Sequence, residues 1–253
     1  MATLKDDRRI RAEGTPEAAW ASWPGLARLP STQPGTLVPE GARVVVVAPH
    51  PDDEILMVGG LLAQLARERV PIRIIAVTDG CASHRGSSTW TRRRLKHVRP
   101  RESRAALHCL GIEEPPLRLE LPDGGLTRHR TRLAQRLDRL FEPSDVVFTT
   151  WRRDGHPDHE AVAKACEIAA ANRGAQLVEV PVWAWNWARP GDPRLPWRQA
   201  FRLPLDNDAR RRKCFALQAF TSQLLPDAST GTPPVLDADM LSRAARPFEV
   251  MFR

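Results

Sequence analysis

The chain has 253 residues, of which 42% are hydrophobic and 27% charged, close to globular averages and incompatible with disorder throughout. Its formal charge is +8, and all but four of its 38 cationic residues are arginine. These are scattered, with short runs only at Arg92 to Arg94 and Arg210 to Arg212. Solvated helix faces explain them better than a nucleic-acid footprint, so no specific nucleic-acid partner is expected. Cys81, Cys109, Cys166 and Cys214 form no C-x-x-C pair, which argues against a disulfide framework or a cysteine zinc site.

The opening MATLKDDRRIRAEG is too charged for the apolar core of a signal peptide. No stretch approaches the length of a membrane span. With unpaired cysteines, this leads to the expectation of a cytoplasmic protein. Residues 1–40, rich in Pro, Arg and Ala, read as an N-terminal extension with one short helix around Pro16 to Trp23; residues 41–253 read as the functional domain.

From Ala42 a regular alternation begins. Ala42 to Ala48 (ARVVVVA) has the β-branched run of a buried strand. Glu54 to Glu68 carries apolar residues at helical spacing, and Ile72 to Thr78 is a second buried strand closed by Asp79-Gly80. Thr91 to Leu110 is helical, with Pro100 as an expected boundary and Gly111 as a C-cap. Leu117 to Leu121 is a short strand, Leu126 to Phe141 an amphipathic helix and Asp145 to Thr150 a fourth strand. Glu160 to Arg173 is another helix and Gln176 to Pro181 a fifth strand. After a Pro-rich stretch come one helix, Asn207 to Ser222, and a tail (RPFEVMFR) with strand alternation.

This order implies a Rossmann-like α/β fold: one domain with a mostly parallel sheet, helices on both faces and a C-terminal cap segment. In the common strand order 3-2-1-4-5, the first and fourth strands are neighbours, and their carboxyl ends flank the switch point where such sheets bind ligands.

The chemistry is concentrated at those two ends. His50-Pro51-Asp52-Asp53-Glu54 follows the first strand, and Asp154-Gly155-His156-Pro157-Asp158-His159 follows the fourth. A hydrolytic zinc site takes three His or carboxylate ligands and leaves one position for water. His50 and Asp53, three apart where a helix opens, can converge on one ion, and His159 can complete the set. Asp52, between them, can reach the metal-bound water as a general base, and His156 falls beside the open position. Either segment alone could be a plain helix cap or polar turn. Together, so many titratable groups in one crevice would repel and desolvate one another without gain.

The APHPDDE run and the later DGHPDH resemble the LmbE/PIG-L family of zinc-dependent N-acetylglucosaminyl deacetylases. The resemblance extends from about Ala42 to about Gln223. Supporting matches are Thr78-Asp79-Gly80, Arg99-x-x-Glu102 with Leu110-Gly111, Leu121-Pro122-Asp123-Gly124, and Lys213 with Ser222-Gln223. The resemblance implies one Zn2+ or another divalent ion per chain, held by His50, Asp53 and His159. It implies Asp52 as general base, His156 as oxyanion stabiliser or acid, and Asp158 as the group that orients a neighbouring histidine. Arg99 and Asp123 become candidate substrate contacts, although Pro100 after Arg99 departs from the family pattern. Glu54 is read as a support or cap, and no organic cofactor is implied.

Trp183, Trp185 and Trp187 alternate, so an extended segment would place all three indoles on one face, either to stack on a sugar or to pack the C-terminal segment. The expected activity is removal of an N-acetyl or related N-acyl group from an amino-sugar-containing small molecule. A metal-dependent phosphoesterase and a non-catalytic binding protein on the same fold remain alternatives, and a homo-oligomer is left open.

Overall fold

The structure, a computed structural model, describes residues 8–11 and 13–253. Residues 1–7 and 12, part of the expected N-terminal extension, lie outside the described residues. Three short helices come first: α1 (Glu17–Ala21), α2 (Pro24–Arg28) and α3 (Pro34–Leu37). The alternating unit follows as β1 (Arg43–Ala48), α4 (Asp53–Arg67), β2 (Ile72–Ala76), α5 (Arg92–Cys109), β3 (Leu117–Arg118), α6 (Leu126–Asp138), β4 (Asp145–Thr150), α7 (Pro157–Arg173) and β5 (Gln176–Val180). The chain ends with α8 (Ala184–Trp187), β6 (Ala200–Pro204), α9 (Asn207–Leu217), α10 (Thr221–Leu224), α11 (Ala238–Ala244) and β7 (Phe248–Phe252).

The sheet order is β3-β2-β1-β4-β5-β7-β6. The first five strands are parallel, and the β7–β6 edge is antiparallel. β1 is buried on both faces because its valines alternate between two cores. Val44 and Val46 pack with α4, α5 and α9, whereas Val45 and Val47 pack with α6 and α7. The β1–β4 register pairs Val47 with Thr149, which brings the chain after Ala48 beside the chain after Thr150. At the other end Arg43 pairs with Asp145 in the ladder and donates two bonds of 2.8 Å to its buried carboxylate. That fork fixes the register which the site depends on.

Helix α4 is kinked at Val58, whose φ of −137° is not helical. The polar groups freed by the kink find side-chain partners. Lys213 Nζ donates to Leu56 O, while Glu249 accepts from the N–H groups of Gly60 and Leu61. Lys213 and Glu249 also pair with each other at 2.7 Å, both nearly solvent-free. The ion pair thus satisfies the backbone groups that the bend leaves open.

The expected boundary at Pro100 is absent, and α5 runs unbroken from Arg92 to Cys109. Proline removes one helical N–H, but buried Leu95 and Arg99 anchor the turn before it and Glu102, Ser103 and Ala106 the turn after it. The third strand is shorter than expected, since Glu120, at φ 51°, breaks the pleat after two residues. The helix expected from Asn207 to Ser222 divides into α9 and α10, with non-helical Phe220 between them. β6 had no sequence expectation, because AFRLP at a sheet edge shows little alternation. Among the described residues no helix is long and apolar enough to cross a membrane.

The N-terminal helices contribute Trp20, Leu26 and Leu29 to a third core with Trp151, Trp185 and Trp187. The alternating tryptophans do not share a face as expected, since Ala184–Trp187 is a helical turn. Trp185 and Trp187 turn into this third core, and half-buried Trp183 alone lines the cavity described next.

Candidate active site

The turn after β1 places Asp52 as N-cap of α4 with φ 130°, a backbone conformation that costs a non-glycine residue of order 1–3 kcal/mol. Three contacts hold it there. Its N–H donates to Glu54 Oε2 at 3.0 Å, its carbonyl accepts from the N–H groups of Ile55 and Leu56, and its Oδ2 accepts from Arg99 at 2.7 Å. Glu54 also accepts from Ser103 Oγ, so it braces Asp52 from behind. Arg99 donates as well to the carbonyls of Gly80 and Pro51.

One residue on, the Asp53 carboxylate meets two imidazoles. Its Oδ2 lies 3.2 Å from His50 Nδ1 and 3.3 Å from His159 Nε2. Ligands on one tetrahedral ion at about 2.1 Å stand roughly 3.4 Å apart, so these separations suit a shared cation. His50, Asp53 and His159 form one group able to hold a metal.

The remaining ring nitrogens face carboxylates. His159 Nδ1 donates to Asp154 Oδ2 at 2.8 Å, since a carboxylate only accepts. That leaves Nε2, buried and 3.3 Å from Asp53 Oδ2, as the nitrogen that carries either a proton or a metal ion. His50 Nε2 lies 3.3 Å from Asp123 Oδ1 and 3.4 Å from Asp158 Oδ2. Both candidate histidine ligands thus have the carboxylate backing typical of metal sites. A second group, His50 with Asp123 and Asp158, shares His50 with the first.

The electrostatics favour a cation between these groups. Burial opposes charge on His50, but hydrogen bonds to Asp123, Asp158 and Asp53 outweigh it and raise its pKa well above the usual value. His159, despite burial, is raised to about 9 by the Asp53 charge and the Asp154 bond. Burial works against the Asp53 carboxylate, yet the charge of His159 and hydrogen bonds from both histidines hold it below the carboxylate range. The Asp52 pKa is pushed up to about 7, by burial first, with Arg99 opposing and Asp53 and Glu54 adding to the rise.

His156 is the N-cap of α7, its Nδ1 accepting the Asp158 N–H at 3.2 Å. Burial, then the charges of His159 and His50, lower its pKa to about 3. It is therefore neutral near pH 7, and with Nδ1 accepting, its proton sits on Nε2. Its ring centroid lies 5.0 Å from that of His50 and 4.8 Å from that of His159.

Asp158 accepts from the N–H groups of Gly124 and Leu126 besides meeting His50. Asp123 accepts from the Ala82 N–H. Burial would raise the Asp123 pKa, but its bond to His50 and the charge there bring it down to about 2.

All eight residues singled out in the sequence come together here. His50, Asp52, Asp53, Arg99, Asp123 and His156 line one cavity of about 290 Å³, and His159 and Asp158 stand behind it. Leu56, Trp183, Leu236 and Met240 supply its apolar lining, the last two from the C-terminal segment.

Asp154 was not among the candidates although it opens the second motif. Fully buried, it accepts from the N–H groups of Val182, Trp183 and Ala184, each at 2.9 Å, besides His159. Its side chain thereby ties the end of β5 to the turn that carries His159. Its acidic character in DGHPDH was visible; its backbone partners, so far along the chain, were not.

The profile of the family PIG-L (GlcNAc-PI de-N-acetylase) matches residues 45–170, which contain both motifs. A probable N-acetyl-alpha-D-glucosaminyl L-malate deacetylase 2 of Bacillus anthracis is 30% identical over 193 residues, 72% of this chain and 81% of the relative. A conserved protein from Thermus thermophilus has a crystal structure that superposes with a TM-score of 0.54 at 28% identity, over 73% of this chain and 80% of that one. The crystal structure of an antimicrobial-reagent pseudoaglycone deacetylase shares the fold with a TM-score of 0.61 at 23% identity, over 83% of this chain and 96% of that one. With the motifs at the carboxyl ends of β1 and β4 and a relative matched over four-fifths of its length, the chain belongs to the PIG-L family of de-N-acetylases.

Proposed function

We propose that this protein is a metal-dependent hydrolase that removes an N-acetyl, or related N-acyl, group from an amino-sugar-containing small molecule. The observation that carries this reading is the convergence of His50 Nδ1 and His159 Nε2 on one oxygen of Asp53, at 3.2 and 3.3 Å, with His159 held from behind by Asp154. Two imidazole nitrogens facing one buried carboxylate oxygen call for positive charge between them, and a metal ion can take the place of the protons that the raised histidine pKa values describe. The donor set of two imidazoles and one carboxylate fits zinc in a hydrolytic site. His50, Asp53 and His159 would hold the ion, which would supply Lewis acidity at the reacting carbonyl and water.

The chain's own residues carry the proton and the charge. Water adds to the acyl carbon while its proton passes to the Asp52 carboxylate, which Arg99 keeps in place. His156 Nε2–H donates toward the negative charge that develops on the carbonyl oxygen, a role for a neutral imidazole. The C–N bond then breaks, and the amine leaves with the proton returned from Asp52. Asp158 holds His50 in orientation, and Asp123, at the cavity wall, faces the substrate.

The substrate class follows from the family and from the relative's substrate, an N-acetylglucosaminyl malate. The test is metal content by mass spectrometry together with acetate release from a panel of N-acetylglucosamine conjugates. About one zinc per chain and chelator-sensitive acetate release are expected. Failure to bind any divalent ion after reconstitution would sink the mechanism. The second trio of His50, Asp123 and Asp158 bears on the phosphoesterase alternative, which usually needs two ions. Because the trios share His50, and Asp158 is already committed to two backbone N–H groups, a stoichiometry of one is expected.

A further inference from the structure

A second cavity, of about 420 Å³, opens beside the turn that carries His156. Gly155 and Pro157 line it, whereas His156 between them lines the catalytic cavity. Arg8, Arg9, Arg130, Arg152 and Lys164 reach it from four separate stretches of chain. Among the described residues of its wall, Glu160 is the one carboxylate. Like charges gathered in one hollow repel one another unless each finds a countercharge.

The fold provides one for three of the five. Arg8 pairs with Glu160, which also accepts the Gly155 N–H. Arg152 pairs with Glu167 and Glu179, and Lys164 with Glu167. Arg9 and Arg130 are exposed and have no ion pair among the described residues.

Two helices add to the positive field. α6 and α7 begin side by side at this end of the sheet, since Asp158 in the first turn of α7 accepts from Gly124 and Leu126 where α6 begins. Both N-termini carry partial positive charge. Thr127, in the first turn of α6, belongs to the cavity wall, and its N–H has no intrahelical acceptor. The segment that brings Arg8 and Arg9 here is also fastened. Arg11 exchanges two backbone hydrogen bonds with the Asn186 side chain, at 2.8 and 3.0 Å. The Arg8 carbonyl packs on Gly155, where a Cβ would stand 3.0 Å from it.

We infer that this cavity is a binding site for a phosphoryl group, separate from the catalytic centre. A phosphate carries a charge near −2 at neutral pH and several acceptor oxygens. It can therefore meet the guanidinium forks of Arg9 and Arg130 together, whereas a planar carboxylate matches one fork. The volume lies in the range of small-molecule sites, so the body of a phosphate ester fits as well as the free ion. The inference stands on these residues and not on the deacetylase reading.

The test is calorimetric titration of the metal-loaded full chain with inorganic phosphate, glucose 6-phosphate and succinate. Salt of about 0.15 M screens diffuse attraction. One saturable phosphoryl site is expected, with succinate weaker. The double variant Arg9→Gln/Arg130→Gln should bind at least about tenfold more weakly, the worth of one charge-assisted hydrogen bond. Its thermal midpoint without ligand should match wild type, because both side chains are exposed. Arg210→Gln, exposed on α9, which packs against the other core, should bind as wild type does. Tighter binding of glucose 6-phosphate than of phosphate would make an ester the ligand; equal or weaker binding would make it the free ion. The inference is overturned by absence of saturable phosphoryl binding or by tighter binding of succinate. Undiminished binding in the double variant would place the anion at the metal instead, and an equal loss in Arg210→Gln would reduce the effect to net charge; either result overturns it too. Acetate release is no part of this readout, so the site and the deacetylase reading can fail separately.

Discussion

Asp154 Oδ2 accepts the Nδ1 proton of His159 across 2.8 Å, and neither side chain is exposed to solvent. The bond fixes the ring orientation that presents Nε2 to Asp53. Carboxylates in this role are worth about 10–100-fold in metal affinity. Asp154→Ala is expected to lose that factor and also to destabilise the fold, since three buried N–H groups at the end of β5 lose their acceptor. Metal titration followed by thermal denaturation of the metal-free protein separates the two losses. Wild-type affinity in the variant would remove Asp154 from the metal site.

Asp52→Asn should leave metal content intact and lower kcat by about 10²–10⁴. The pH profile supplies a second readout. Burial raises the Asp52 pKa from 3.8 to about 7, so the carboxylate is available above that pKa and lost below it. Activity should rise with pH along an acid limb between these values, drawn downward when a cation binds nearby. The residual activity of the variant should lack that limb; a limb unchanged in Asp52→Asn would assign it to another group.

His156→Ala is expected to lower kcat by about 10²–10³, the usual worth of one oxyanion donor, with KM and metal content nearly unchanged. His159→Ala should instead lose the metal. Variants that reverse this pattern, with His156 required for metal and His159 dispensable, would exchange the two assignments.

The kink in α4 offers a test of stability alone. Lys213→Met leaves Glu249 buried without its countercharge, a change that typically costs about 3–5 kcal/mol. Urea denaturation should show it as a lowered midpoint. A midpoint within error of wild type would mean that the N–H groups of Gly60 and Leu61 suffice for Glu249.

What could be read from the sequence was what is local. The HPDDE and DGHPDH segments are contiguous, and the valine run of β1 and the alternation of strands and helices place them at neighbouring strand ends. Features set by distant partners were harder to read. Alternating indoles from Trp183 to Trp187 have a period of two, which mimics a strand, but Asp154 gathers the N–H groups of residues 182–184 and the chain turns helical. Pro100 reads as a stop until the buried contacts on both sides of it are known. Glu102, which accepts from Thr221 and Ser222, lies more than a hundred residues upstream on α5, and no spacing rule reaches that far.

The one-turn interval between Arg99 and Glu102 also limits how this chain can vary. Exposed Arg101 and Arg104 can change identity freely, because neither braces the cavity. Length is another matter: one residue inserted between Arg99 and Glu102 turns everything downstream by about 100° around the helix axis. Glu102 would swing away from Ser222 while Arg99 kept its grip on Asp52. Homologous chains that keep the same cavity are therefore expected to differ in α5 by substitution and not by insertion or deletion, whatever happens in the loops around it.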